Sequence, residues 1–145
     1  MKTIALRFSD NFAPSIGTIA AHQECIDKNG YVWYGKLGSA VSDKVCKELM
    51  SEEGKKILLI HSGKTSRYWA YIDKVQREIP TLKDIPEYYR DQAGLFRTWF
   101  RVIKIEEADK SVMAQCKVAS SGAPLSMTSK SSMSPYFIIE YSGGE

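Results

Sequence analysis

The residues with the greatest capacity for chemistry lie around one short polar loop in the middle of the chain. His61 and Ser62 directly follow an apolar run at residues 57–60, and an alternating stretch begins at Tyr68. Imidazole and hydroxyl groups donate and accept hydrogen bonds, and aromatic rings stack on flat, polarisable ligands. This combination favours a site for a planar molecule, such as a nucleobase lifted out of its stack.

Ten residues make up the predicted site. Six are expected to form the walls and the polar edge of a base pocket: Trp33, Tyr34, His61, Ser62, Trp69 and Trp99. Four basic residues are expected to contact phosphates, which position a nucleic acid strand: Lys36, Lys64, Arg67 and Arg101. The competing interpretations are core packing for the aromatic residues, a solvated turn for His61 and Ser62, and a solvated basic face for the cations.

Other kinds of site have little support in the sequence. The glycines do not have the spacing of a dinucleotide-binding or phosphate-binding loop. His22 and His61, the two histidines, belong to different predicted elements, so we expect no metal, no cofactor and no catalytic residues. Cys25, Cys46 and Cys116 are widely and irregularly spaced, which is typical of reduced thiols and not of a disulfide framework.

Length and composition predict one domain over residues 1–145. The hydrophobic content of 43% and the charged content of 26% are ordinary for a globular protein. A net charge of +3 allows an anionic partner without requiring one. The chain starts without the apolar core of a signal peptide, and its apolar runs are shorter than the roughly 18 residues of a membrane helix. We therefore expect a cytoplasmic protein that does not bind membranes.

The elements that would position the site centre on a hairpin. Residues 57–60 predict a strand buried on both faces, and residues 68–75 alternate strictly. Tyr68 and Ala70 point to one face of the sheet, whereas Trp69 and Tyr71 point to the other. Since one face is expected to be core, the aromatic residues on the other need a different partner, which is the main reason to predict a pocket.

The remaining elements predict the fold class. Strands are expected at residues 3–8, 31–35, 96–105 and 135–141, and helices at 18–28 and from 42 or 43 to 50. Residues 79–91 are expected to form a long connection, 109–116 a short helix, and 118–134 a loop that wraps the site. Because strands and helices do not alternate regularly, the class is α+β: a small twisted, partly closed mixed β-barrel with flanking helices.

Three stretches are similar to EVE domains in sequence or in position. Residues 54–63, followed by the alternating strand that ends at Val75, are similar to their central hairpin. Residues 97–102 resemble their later Trp-containing strand, and residues 120–134, with Leu125 and Met127, stand where their late binding loop would. The family's Trp-led opening strand has no counterpart at residues 4–14.

EVE domains belong to the PUA-like group with the YTH and ASCH domains. The resemblance implies a PUA-like β-barrel flanked by helices, with an aromatic-lined pocket for a modified nucleobase in DNA or RNA. It also implies that Trp33 or Tyr34, with His61, Ser62, Trp69 and Trp99, would line this pocket. Bacterial members are often coupled to restriction or other defence systems, which makes an effector protein a further candidate partner.

The leading hypothesis is a non-catalytic nucleic-acid-binding domain that recognises a modified base. One alternative is an ASCH-like small hydrolase acting on a modified nucleoside, for which a lysine pKa lowered by burial would be the sign. Its candidate pairs join Lys64 or Lys74 to Glu78 or Asp73. The other alternative is a protein-interaction module that docks through residues 31–34 or through Tyr88 and Tyr89.

Overall fold

The computed structural model describes residues 2–9, 15–37, 40–51, 55–61, 66–132, 134 and 136–142. The strands are β1 (Lys2–Phe8), β2 (Val32–Leu37), β3 (Lys56–His61), β4 (Arg67–Gln76), β5 (Phe96–Glu107), β6 (Cys116–Val118) and β7 (Tyr136–Tyr141). The α-helices are α1 (Thr18–Asn29), α2 (Asp43–Leu49), α3 (Val112–Gln115) and α4 (Leu125–Ser131). Two short 3-10 helices, Leu82–Asp84 and Glu87–Leu95, join β4 to β5.

Local sequence signals explain where α1 ends and where α2 begins. At the end of α1, Gly30 takes a positive φ of 85°, and its amide donates to the carbonyl of Ile26 at 2.7 Å. At the start of α2, the hydroxyl of Ser42 accepts from the amide of Val45 at 3.3 Å. Both of these predicted helices are confirmed, and within the range 109–116, predicted as a short helix, the structure has α3.

The seven strands form one mixed sheet in the order β2-β5-β4-β3-β1-β7-β6. β1 pairs with β3 in parallel, and the other pairings are antiparallel. The predicted central hairpin is confirmed as β3 and β4, with Ile57 opposite Ala70 and Ile60 opposite Arg67.

The sheet curls strongly, as one contact between distant strands shows. The ammonium of Lys36 on β2 lies 4.5 Å from the centre of the Tyr136 ring on β7, although four strands separate β2 from β7 in the sheet. At a strand spacing of about 4.8 Å, a flat sheet would hold these strands more than about 20 Å apart. The described residues do not show hydrogen bonds that close a barrel, so the structure confirms a curled α+β sheet with flanking helices.

Hydrophobic cores lie on both faces of this sheet. The first core lies under α1 and α2 and contains Ile4, Leu6, Phe8, Ile57, Leu59, Ala70, Ile72 and Phe100. The second lies under α3 and α4 and contains Ala5, Leu58, Ile60, Trp69, Leu125, Phe137 and Ile139. A third, smaller core beneath the 3-10 helices contains Trp33, Ile85, Ala93, Phe96 and Trp99.

The second core corrects one expectation. Trp69 is 3% exposed and packs against the ring of Tyr141, with 4.9 Å between the ring centres. The expectation that one face of β4 would be left for a ligand is wrong, because β6, β7 and the two short helices cover that face. The predicted loop at residues 118–134 likewise contains α4, whose first residue, Leu125, is fully buried.

No helix in the described part of the chain is long and apolar enough to cross a membrane.

Candidate functional site

A cleft of about 400 Å³ opens at one end of the first core, beneath the first turn of α1. It is lined by Phe8, Ile16, Gly17, Thr18, Ile19, Ala20, Gln23, His61, Ser66, Tyr68, Ile105, Glu106 and Glu107. Phe8, Ile19, Tyr68 and Ile105 also contact the first core. The cleft is therefore a continuation of the hydrophobic interior to the surface.

Strand register brings the cleft side chains together. Phe8 at the end of β1 lies beside His61 at the end of β3. The amide of His61 donates to the carbonyl of Ser66 at 3.0 Å. Ser66 immediately precedes β4, so this bond joins the end of β3 to the start of β4. Tyr68 on β4 is directly opposite Glu107 on β5. Four neighbouring strands thus each present a side chain at the same end of the sheet.

Three rings stand around the opening. The ring centres of Phe8 and His61 are 5.0 Å apart, with an edge-to-face angle of 74°. The centres of Phe8 and Tyr68 are 6.2 Å apart, with their planes tilted by 52°. Phe8 is buried, whereas His61 and Tyr68 are half-buried. The two half-buried rings can therefore offer a face or an edge to a flat ligand.

The beginning of α1 forms the other wall. Gly17 has a φ of 89° immediately before the helix, and the hydroxyl of Thr18 donates to the carbonyl of Ser9 at 2.9 Å. The first intrahelical bond runs from the amide of Ala21 to Gly17, and the first turn carries no acidic residue. The amides of Ile19 and Ala20 precede that bond, and both residues line the cleft.

Two neighbouring glutamates differ in what surrounds them. The carboxylate of Glu106 accepts from the hydroxyl of Tyr71 at 2.5 Å and pairs with Lys104 at 3.4 Å. The Tyr71 hydrogen bond is the main cause that holds the pKa of Glu106 below its usual value. Glu107 is exposed, and no hydrogen bond or ion pair joins its carboxylate to another of the described residues.

The six residues predicted to form the pocket lie in different places. His61 lines the cleft. Trp33 and Trp99 lie in the third core, and Trp69 lies in the second. Tyr34 lies in the first core, where its ring centre is 5.0 Å from that of His22. The structure does not bring these aromatic side chains into one cleft, and Ser62 lies outside the described residues.

The four predicted phosphate contacts are also dispersed. Lys36 is only 5% exposed, and desolvation lowers its pKa. Arg101 makes two hydrogen bonds to Asp73, at 2.7 and 3.0 Å. Arg67 lies between Ser66 and Tyr68 in sequence, and its Nε donates to the carbonyl of Asp109 at 3.0 Å. Lys64 lies outside the described residues.

The structure also describes most of the residues named for the hydrolase and for the protein-interaction module. Lys74 and Glu78 are exposed, while the carboxylate of Asp73 is held by Arg101. The buried lysine with a lowered pKa is Lys36, which does not line the cleft. Tyr88 packs against the third core, and the side chain of Tyr89 lies outside what the structure describes.

Sequence reasoning missed Phe8, Glu107 and the first turn of α1. Phe8 closes a strand just before a polar turn, and Gly17 precedes a helix whose first turn is not acidic. Neither signal is strong alone. The pairing of Tyr68 with Glu107 depends on a strand register interrupted by irregularities at residues 71–74, so spacing along the chain could not show it.

Comparison with known proteins gives one match. A family model described as Pua-like matches residues 4–136, most of the 145-residue chain. No curated protein and no solved structure matches. The match suggests nucleic-acid binding as the broad class of function.

Proposed function

We propose, because the chain belongs to the PUA-like family, that it is a non-catalytic nucleic-acid-binding domain that takes a single modified nucleobase into the cleft beneath α1. The observation that carries this proposal is the group of three rings, Phe8, His61 and Tyr68, around one opening.

The size and lining of the cleft suit a base. A volume of about 400 Å³ lies in the range of small-molecule sites, which is roughly 300–1,000 Å³. Stacking on an aromatic side chain contributes about 1–3 kcal/mol per base, whereas taking a base out of a duplex costs a few kcal/mol. The two terms nearly cancel, so we expect binding to single strands or to bases whose modification already weakens pairing.

The proposal assigns different tasks to the groups around the cleft. Tyr68 stacks on the base, the buried ring of Phe8 packs behind Tyr68 and His61, His61 bonds to a polar atom on the edge of the base, and Arg67 contacts a neighbouring phosphate. The described lining contains no lysine or cysteine, which leaves no candidate there for covalent catalysis by an amine or a thiol. An effector protein as partner and a role in bacterial defence stay predictions. Whether the base belongs to DNA or to RNA stays open.

Replacing Tyr68 by Ala tests the proposal. We expect Tyr68→Ala to weaken binding of a short single strand that carries the preferred base by about 5-fold to 150-fold, which corresponds to the loss of one stacking interaction. The measurement is fluorescence anisotropy with labelled strands in DNA and RNA forms, each holding one modified base. Tyr31→Ala is the matched control, because Tyr31 is also half-buried but packs against the third core.

Both variants are first checked by thermal unfolding. Equal affinities for wild type and Tyr68→Ala, or an equal loss in Tyr31→Ala, would show that the cleft is not the site. Conversion of a modified nucleoside during the titration, detected by chromatography, would contradict the non-catalytic proposal and favour the hydrolase alternative.

A further inference from the structure

We propose that Glu107 makes this cleft selective for guanine-type bases, meaning those that present the N1–H group and the N2 amino group side by side. This inference rests on the proposed function, since it names the base that the cleft accepts. It comes from the position of one carboxylate relative to one stacking ring, and from the polarity of the remaining lining.

The position of Glu107 follows from the sheet. It lies directly opposite Tyr68 on the neighbouring antiparallel strand, and opposite residues project to the same face. Ile105, two residues earlier, packs on the first core, so alternation places the Glu107 side chain on that face as well. Neighbouring strands are about 4.8 Å apart. A base stacked on Tyr68 would therefore point one edge at the Glu107 carboxylate.

The second glutamate is already engaged. The Glu106 carboxylate bonds to Tyr71, which packs against the second core, and to Lys104. This places the Glu106 carboxylate on the opposite face of the sheet. Glu107 is consequently the one carboxylate that the described lining directs to the cleft face.

The other polar groups of the lining complement this carboxylate. The Gln23 amide nitrogen donates one of its two hydrogens to Asp27 at 2.9 Å, and its carbonyl oxygen can accept a hydrogen bond. The described lining contains no lysine or arginine. The Glu107 carboxylate therefore favours a ligand edge that carries N–H donors, while amides in the first turn of α1 are candidates to donate to a ligand acceptor.

Guanine fits this arrangement better than the other bases do. An ionised carboxylate has two acceptor oxygens and no donor, and it binds two adjacent N–H groups in a bidentate manner. Guanine offers N1–H and N2–H together on one edge, with O6 beside them to accept from α1. On adenine and cytosine the exocyclic amine lies next to a ring nitrogen acceptor, which a carboxylate repels. Uracil offers a single N–H between two carbonyl groups.

The inference also limits where a modification can lie. Alkylation at N1, or conversion of the N2 amine, would remove a donor from the edge that faces Glu107. The modified atom of the base must then be on the N7 and C8 side of the ring, or on the sugar. This separates the atoms that identify the base from the atoms that carry the modification.

The test compares four single strands that differ only at one central position, which is guanine, inosine, adenine or cytosine, in a uridine background. Inosine retains N1–H and O6 but lacks the N2 amine, so it isolates one hydrogen bond to Glu107. We expect wild type to bind the guanine strand about tenfold more tightly than the inosine strand. In Glu107→Gln we expect this ratio to fall below about threefold. Glu140→Gln, at an exposed position on β7, is the control and should keep the full ratio.

The outcomes separate this inference from the proposed function. If binding depends on Tyr68 but guanine and inosine bind equally, or if Glu107→Gln keeps the wild-type ratio, the guanine inference is wrong and the base-binding proposal stands. If none of the four strands binds saturably, the guanine inference is wrong. If the strands that carry modified bases also fail to bind, or bind without dependence on Tyr68, both are wrong. Because Glu107 is exposed and not ion-paired within the described residues, we expect Glu107→Gln to keep the wild-type melting temperature.

Discussion

The side chain of His22 is 1% exposed and shows how one buried group makes the stability of the fold depend on pH. Its Nδ1 lies 2.8 Å from the carbonyl oxygen of Thr18, one turn earlier in α1. Desolvation by burial lowers the pKa of His22 to about 4, and the bond to Thr18 only partly opposes this effect. The imidazole is therefore neutral in the folded protein at neutral pH.

We predict that His22 destabilises the protein as the pH falls. The pKa in the unfolded chain is about 6.5, so the unfolded state binds a proton before the folded state does. The stabilising contribution of neutral His22 is complete above about pH 6.5 and is lost as the pH falls towards the folded value near 4, a total of about 3 kcal/mol. Urea unfolding of wild type and His22→Gln at neutral and acidic pH measures the difference.

The comparison between wild type and His22→Gln isolates the contribution of His22 to the pH dependence of stability, since the carboxyl groups contribute equally in both proteins. The pH-dependent loss should be smaller in His22→Gln by about 2–3 kcal/mol. Nitrogen chemical shifts of the imidazole give an independent check if the variant is too unstable. A ring that protonates near the ordinary value in the folded protein would contradict the prediction.

At the scale of single residues, the described members of the predicted pocket are divided between the candidate cleft and the three cores. His61 was predicted and lines the cleft. A polar side chain at the end of a buried strand is expected at the edge of the core, where it can reach solvent. The tryptophans were predicted as pocket walls but are 0–5% exposed. Composition shows that aromatic rings must pack against something, but it does not distinguish a core from a ligand.

Among the elements, β2 depends on a glycine at its centre. A Cβ atom at Gly35 would lie 2.7 Å from Cγ of Phe96 and 2.9 Å from Cζ3 of Trp99. These rings pack edge to face, with their centres 5.3 Å apart. Gly35 thus allows β2 to approach the third core closely.

We predict that Gly35→Ala destabilises the protein by about 1–3 kcal/mol, because the two rings must shift to make room for a methyl group. Gly94→Ala is the matched control, since a Cβ atom there has nothing within 4 Å and Gly94 does not have a positive φ. Chemical unfolding followed by tryptophan fluorescence reports both variants. A similar loss of stability in the two would mean that glycine flexibility, and not packing, determines the effect.

The elements that sequence patterns predicted well are those whose signals are local. The cap at Ser42, the stop at Gly30 and the strands of the hairpin each depend on a few neighbouring residues. The helix α4 was missed because the residue that stabilises it is distant in sequence. The Arg7 guanidinium donates to the carbonyls of Ser129, Ser132 and Ser134, and so holds the end of α4 and the residues after it.

For the molecule as a whole, the two covered faces of the sheet explain why the pocket was predicted for the wrong reason. The alternation in β4 correctly placed aromatic rings on both faces, but the cover on the second face comes from β6, β7, α3 and α4. The cleft instead forms where four strand ends meet the start of α1. Such a meeting depends on the order and curl of the whole sheet, which one sequence does not reveal.

The distribution of charge predicts weak salt dependence of nucleic acid binding. The net charge is only +3, and Arg67 is the one phosphate contact proposed among the described residues. Each phosphate contact to a single strand adds about −0.7 to the slope of log K against log salt concentration. We therefore expect a slope between about −0.7 and −1.5, and a change of about 0.7 towards zero in Arg67→Gln.

Anisotropy titrations over about a tenfold range of salt measure this slope. A slope of about −4 or steeper would indicate that a long segment of backbone lies on the protein, in contradiction to a single-base cleft. Arg101→Gln is the control, because the Arg101 side chain is paired with Asp73.

The central position of β1 in the sheet has a consequence for biosynthesis. β1 is bordered by β3 on one side and by β7 on the other, with Lys2 opposite Glu140. A ribosome makes β1 first among these strands and β7 last, so in the nascent chain one edge of an apolar strand waits without its partner until translation has passed β7. Unpaired edges of this kind associate with other chains, and pairing so distant in sequence is slow to form. Cells producing this protein should therefore need chaperone protection of β1 during synthesis more than after it.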